Sequence, residues 1–239
     1  MTKLDILAFG AHPDDVEIGM AGTLVKYTKK GYNVGICDLT MAELSSNGTV
    51  ERRQAEAKRA GEYLGLHTRI QLDFPDRGLR HTGEEQMREL VSIIRYYQPS
   101  IVFAPYSIDR HPDHGECGKL VKEAVFNAGI RKYRCTKNLG HHRVKDVYFY
   151  LINSYERPDF VIDISDYIET KKLALQAYES QFVGDANSIE TPLTNGYIEV
   201  VEARERLFGK EVSVDYAEGF KVTKPFLVKT LIEEDERTR

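Results

Sequence analysis

Long apolar runs are missing from this 239-residue chain; none approaches the ~20 residues a membrane-crossing helix needs, so no membrane partner is expected. The start, Met1-Thr2-Lys3-Leu4-Asp5, lacks the apolar stretch of a secretion signal, and cysteine is scarce. Cys37, Cys117 and Cys135 are odd in number, far apart and without a C-x-x-C, which predicts free thiols in a reducing cytoplasm. Without secretion, the Asn47-Gly48-Thr49 sequon is expected to stay unmodified. Neither sign of charge dominates: 33 Lys and Arg face 37 Asp and Glu, a net charge of -4. That balance argues against an extended nucleic acid contact. Repeats, low-complexity tracts and linkers are absent too. What remains is 41% hydrophobic and 29% charged, enough for one sizeable domain over 1–239, with a core to about residue 165 and an elaboration over 166–239.

The pattern alternates strand and helix. Leu4 to Phe9 reads as a buried parallel strand, and Val16 to Lys30 as a helix stopped by Gly31. Asn33 to Leu39 is the second strand, and Val50 to Leu64 a helix with Thr49 as its N-cap. Arg69 to Phe74 is the third strand; Thr82 and Glu85 suit a capping box for a helix running to Gln98. Ser100 to Ala104 is a fourth strand, followed by a helix to about Asn127. Four such units predict an α/β fold, a Rossmann-like, doubly wound, mostly parallel sheet with helices on both faces. Beyond it, Asp146 to Ile152 and Phe160 to Ile164 read as strands, while Asp166 to Gln181 and Glu199 to Phe208 read as helices. Val183 to Tyr197 is a long loop of the kind that is usually functional, and Glu233 to Arg239 a frayed tail.

The turn after the first strand reads Gly10-Ala11-His12-Pro13-Asp14-Asp15. A dinucleotide site would need a second glycine where His12 stands, and two carboxylates would repel phosphate. No G-x-x-x-x-G-K-[ST] occurs either, so a nucleotide-binding module without hydrolytic activity is a distant alternative. A second cluster, Asp109-Arg110-His111-Pro112-Asp113-His114, follows the fourth strand. In a parallel sheet all strand-to-helix turns share one edge, so the two clusters can meet. His12, Asp15 and His114 would then supply two imidazoles and a carboxylate, a set that suits zinc with open positions. Asp14 is left as general base. His111 would polarise a carbonyl or protonate a leaving group, oriented by Asp113. Any one of these residues alone would serve equally well as a helix cap; the pairing of two His-Pro-Asp turns favours a metal. Glu17 is expected to complement the helix dipole, or to bond a ligand histidine.

These two turns resemble the paired motif of the PIG-L-type (LmbE-like) zinc N-deacetylases. The likeness extends through Asp38-Leu39-Thr40, Glu43 to Thr49, Pro75-Asp76-Arg77-Gly78 and Tyr216 to Phe220. At this length it is closest to the bacillithiol-biosynthesis deacetylases, which implies an enzyme that removes acetyl from N-acetylglucosaminyl malate. Another N-acetylglucosamine derivative or a thiol conjugate is the alternative substrate. The resemblance implies one zinc per subunit (iron being the other candidate) on His12, Asp15 and His114, with Asp14 as base. It implies His111, paired with Asp113, at the oxyanion, Arg53 and Arg110 on the substrate, and a homo-oligomer, often a hexamer. Ala42 departs from the glycine that many members carry there.

Arg53 has independent support. It sits in the first turn of its helix, where a cation opposes the dipole by about 0.3–1 kcal/mol, which suggests that it holds an anion. Tyr197 is a candidate for lining the entrance. His67, His81, His141 and His142 lack partners at ligand spacing, and Cys117 reads as a packing residue.

Overall fold

The computed structural model describes residues 3–184 and 188–227. Within them, β1 (Ile6–Gly10), β2 (Val34–Asp38), β3 (Thr68–Gln71), β4 (Ile101–Pro105), β5 (Asp146–Tyr150), β6 (Phe160–Asp163) and β7 (Ala217–Lys221) form one sheet. Its order is β3-β2-β1-β4-β5-β7-β6. The first five strands are parallel, and β7 runs antiparallel between β5 and β6. The α/β class and mostly parallel sheet expected from the alternation are therefore present.

Apolar continuity in β1 follows from its central place: Ile6 lies opposite Val34 on one side and Ile101 on the other. Ile6 and Ala8 face one core and Leu7 and Phe9 the other, as strand alternation requires. The first core lies under α1 (Asp15–Lys29) and α2 (Val50–Leu64). The second lies under α3 (Glu84–Tyr97) and α4 (Pro112–Ala128). Each fully buried Leu, Ile or Phe contributes roughly 1.5–3 kcal/mol, so a one-residue slip of β1 would be costly. That register sets where His12 emerges.

Helices α5 (Ile168–Gln176), α6 (Glu179–Phe182) and α7 (Tyr197–Glu211) complete the α1 side. Thr49 caps α2 as expected, its side chain accepting from the Arg52 N–H at 3.2 Å. Gly31 ends α1 at φ 84°. The expected capping box at Thr82 is displaced by one residue: Gly83 is the N-cap, and its N–H donates to Gln86 Oε1 at 2.9 Å. The Thr82 hydroxyl turns instead to the Leu79 carbonyl.

Three further differences concern the C-terminal part and α1. The helix expected over 166–181 is a short 3-10 turn, Ser165–Tyr167, followed by α5 and α6 as separate pieces. A strand, β7, lies where the sequence predicts no element, because its Glu218 and Gly219 do not read as a buried strand. Helix α1 is broken at Met20, whose φ of -156° and ψ of 23° are non-helical. The tail over 233–239 lies outside the described residues.

The strand order reverses between β1 and β4. In open α/β sheets ligands bind at such a switch point, outside the carboxyl ends of the strands. Both histidine turns start there.

Candidate metal and catalytic site

The first turn is short: β1 ends at Gly10 and α1 already begins at Asp15. The His12 N–H donates to Asp15 Oδ2 at 2.9 Å, which folds the turn back on itself. Asp14 takes φ 120° and ψ -24°, a conformation costing a non-glycine residue on the order of 1–3 kcal/mol. The second turn ends with Pro112 at the first position of α4, where its fixed φ and missing N–H suit a helix start. Asp109 organises this turn. Its Oδ1 accepts from the His111 N–H at 2.8 Å and lies 3.0 Å from His114 Nδ1.

The two turns meet. His114 Nε2 lies 3.0 Å from Asp15 Oδ1, and His12 Nδ1 lies 3.4 Å from Asp15 Oδ2. The carboxylate of Asp15 thus stands between the two imidazoles, and all three side chains are buried. The His111 ring stacks on His114 at 4.6 Å and meets the edge of His12 at 4.8 Å. Nitrogens of His12, His111 and His114 lie within 4.8 Å of one another, as do donor atoms of His12, Asp76 and Asp113. Imidazoles and carboxylates converging in this way, with Asp109 anchoring the far nitrogen of His114, fit a divalent metal ion.

Charges interact strongly across the site. Burial works against protonation of His12, but Asp15 and Asp76 outweigh it and raise its pKa to about 10. His114 rises to about 9, burial being overcome by Asp15 and Asp109. Burial opposes ionisation of Asp15, yet His114 and His12 hold its carboxyl well below the usual range. Asp14 is pushed up to about 7 by burial, which Arg53 only partly offsets. His111 falls to about 4 through burial and the neighbouring His114 and His12.

Asp14 leaves this cluster on the other side of the turn. Arg53 Nη2 approaches its Oδ2 at 2.8 Å, off the line of a hydrogen bond, and Arg53 Nε donates to the Pro13 carbonyl at 2.8 Å. Asp14 Oδ2, Arg53 Nη1 and His111 Nδ1 are buried with no hydrogen-bond partner among the described residues. Each belongs to a residue lining a cavity of about 530 Å³. The sequence predicts that Arg53 faces a substrate anion; its first partner is Asp14.

Other expected residues are placed differently. Asp113 does not hydrogen-bond His111: its Oδ2 accepts from the Arg77 N–H at 2.6 Å, and its Oδ1 lies 3.4 Å from Arg77 Nη1. The orientation of His111 comes from stacking on His114. Arg110 lines the cavity and donates to Asn153 Oδ1 at 3.1 Å. The Tyr197 hydroxyl also donates to Asn153 Oδ1, at 2.9 Å, and Tyr197 is not among the cavity-lining residues. Glu17 bonds neither histidine; it accepts from Arg69 at 2.6 Å and from Tyr178 at 2.8 Å.

Sequence reasoning missed three residues. Asp76 Oδ1 lies 3.1 Å from His12 Nε2, and its Oδ2 accepts from the Leu44 N–H, tying the 40–48 loop to the site. Asp109 holds His114. Asn153 holds Asp109 through its N–H at 2.9 Å and Nδ2 at 3.0 Å. Asp76 and Asp109 both lie in carboxyl-edge loops, a signal available in the sequence; Asn153, just past β5, had none. Ala42 sits at φ 53°, in the left-handed region that glycine occupies freely.

Residues 7–125 match the family model PIG-L, GlcNAc-PI de-N-acetylase. The chain is 34% identical over 229 residues to the diacetylchitobiose deacetylase of Thermococcus kodakarensis, covering 90% of this chain and 82% of that protein. It is 26% identical to a probable N-acetyl-alpha-D-glucosaminyl L-malate deacetylase 2 of Bacillus anthracis, covering 84% and 92%. Among solved structures, the conserved protein TT1542 from Thermus thermophilus superposes with a TM-score of 0.86 at 37% identity, over 96% of this chain and 99% of that one. With the fold and both histidine turns in place, the chain belongs to the PIG-L (GlcNAc-PI de-N-acetylase) family, whose deacetylases are hydrolytic enzymes acting on N-acetyl amides.

Proposed function

We propose that this protein removes acetyl from an N-acetylglucosaminyl conjugate, using one zinc ion per subunit on His12, Asp15 and His114 and Asp14 as general base. One observation carries the reading: Asp14 faces the cavity beside the ligand cluster, with Arg53 as its charge partner rather than either ligand histidine. Bound there, a zinc ion supplies Lewis acidity and lowers the pKa of water to about 7.

The chain's own residues do the rest. Asp14 accepts a proton from the attacking water as the C–O bond forms, and returns it to the glucosamine nitrogen as the C–N bond breaks. Arg53 holds the Asp14 carboxylate toward the cavity. His111 donates a ring N–H to the oxyanion of the tetrahedral intermediate. Its ring is held for that task by His114 and His12. Asp113, through Arg77, steadies the loop that carries Asp76. Acetate and the free amine leave.

N-acetylglucosaminyl malate is the substrate we favour. Arg110 at the cavity wall and the unpaired Nη1 of Arg53 offer cations to a carboxylated aglycone. A diacetylchitobiose-type substrate is the second reading, supported by the higher identity to the Thermococcus kodakarensis enzyme. Elemental analysis of purified protein, coupled to acetate release on both compounds, tests the proposal. About one zinc per chain, with faster release from the malate conjugate, is the expected result. Iron in its place would correct the metal, preference for diacetylchitobiose would correct the substrate, and release from neither would overturn the reading. A cytoplasmic homo-oligomer, a hexamer by family likeness, belongs to the same proposal, and light scattering tests its size.

A further inference from the structure

The network that α7 buries beneath the site does not touch the cavity. Lys171, Glu205 and Glu218 are completely buried and Arg204 is 6% exposed. Lys171 Nζ donates to Glu205 Oε1 at 2.6 Å and to Glu218 Oε1 at 2.7 Å. Arg204 pairs with Glu205 through Nε at 2.9 Å and Nη2 at 2.8 Å. Two cations and two carboxylates cancel in charge. Buried networks of this kind often add little stability over apolar packing, which leaves geometry as the reason to consider.

The contacts at the ends of the network supply that reason. In an unbroken helix the Gly22 N–H would reach the Ile18 carbonyl. Here α1 breaks at Met20, and the Gly22 and Thr23 N–H groups donate to Glu218 at 2.9 and 2.7 Å. The Ile18 carbonyl accepts from Arg204 Nη2 at 2.9 Å. Arg204 Nη1 meanwhile donates to the Leu151 and Ile152 carbonyls at 3.1 and 2.7 Å. One guanidinium therefore grips two separate stretches of chain that lead to the site. Ile18 lies in the half-helix that begins with Asp15, ahead of the break at Met20. Ile152 precedes Asn153, which holds Asp109 and through it His114.

We infer that Arg204 is a positioning residue that locks the Asp15 turn to the His114 turn, setting their separation from a helix none of whose residues lines the cavity. This inference rests on the proposed metal site. Lysine at this position keeps the charge opposite Glu205 but cannot reach all three carbonyls in the guanidinium's planar arrangement.

The test is a titration of metal-free protein with Co(II), followed by its visible absorption spectrum and by chelator competition, on wild type and R204K. The expected result is a folded R204K that binds Co(II) about 10–100-fold more weakly, the range for loss of support around a ligand, with an altered spectrum. Its kcat should fall while KM holds. A folded R204K with wild-type affinity and spectrum overturns the inference. Wild type that takes up no Co(II) overturns the metal site itself, and the inference with it. Should R204K not fold, hydrogen exchange of wild type decides. Metal loading should slow exchange across 18–23, 151–153 and 201–208, because coupling between sites is reciprocal; unchanged exchange over 201–208 overturns the inference.

Discussion

Replacing Asp109 by asparagine removes one acceptor oxygen from a side chain that uses both. Oδ1 serves the His111 N–H, Asn153 Nδ2 and His114 Nδ1, at 2.8 to 3.0 Å, and Oδ2 serves the Asn153 N–H at 2.9 Å. An amide has one acceptor oxygen. If that oxygen faces His114, its NH2 confronts the Asn153 N–H; flipped, the NH2 confronts three donors. With the Asp109 side chain only 3% exposed, water offers little relief. The unsatisfied donor should cost about 1–3 kcal/mol of stability. Loss of the carboxylate behind His114 should weaken metal binding about 10–100-fold, or about 1.4–2.7 kcal/mol. Chelator competition reads the second effect and urea unfolding of metal-free protein the first. A D109N protein with wild-type metal affinity would refute the idea that this carboxylate orients His114.

Asp14→Asn should leave metal affinity within a few-fold of wild type and reduce turnover by at least about 10²-fold, the lower end for general base catalysis; an active, metal-loaded variant removes Asp14 from its role. Gly19→Ala should be destabilising by about 1–3 kcal/mol through overpacking. Its added carbon would overlap the ring of Tyr150, which is fully buried and tied to the Phe9 carbonyl. The ~1 kcal/mol gain in helix propensity should not rescue it, and a thermal unfolding midpoint at or above wild type contradicts this packing. Acid should also destabilise the fold. Burial favours the neutral form of Glu205, but Arg204 and Lys171 hold its carboxyl below the usual range. Its contribution is therefore present above the unfolded value of about 4.5 and lost as pH falls through the lower folded value. Asp38, raised to about 6 by burial against the pull of Arg69, works oppositely between about pH 6 and 4. Urea titrations should show stability falling between about pH 4 and about pH 3, below the range in which Asp38 opposes the loss, and equal stability at both values would contradict the linkage.

Much of the front half of this fold is legible because its signals are local. β1, β2 and β4 are apolar runs, and α2 carries its own cap at Thr49. β7 is not legible, because the burial of Glu218 is explained by Gly22, Thr23 and Lys171, none of which is near it in sequence. The break of α1 at Met20 is hidden for the same reason: its replacement partners come from Glu218 and Arg204. At the site, the two His-Pro-Asp turns announce donors on one sheet edge. Asn153 acts by holding Asp109, so its residue type alone carries little signal. Arg53 illustrates how burial changes a reading. Its position predicts an anion, and the anion it meets first belongs to the protein itself.

Metal titration of the wild type beside D15A and H114A tests the central claim most directly. The two turns should together bind one equivalent of divalent ion per chain, with binding lost in both variants while each remains folded. Uptake of one equivalent by D15A and H114A at wild-type affinity would contradict it.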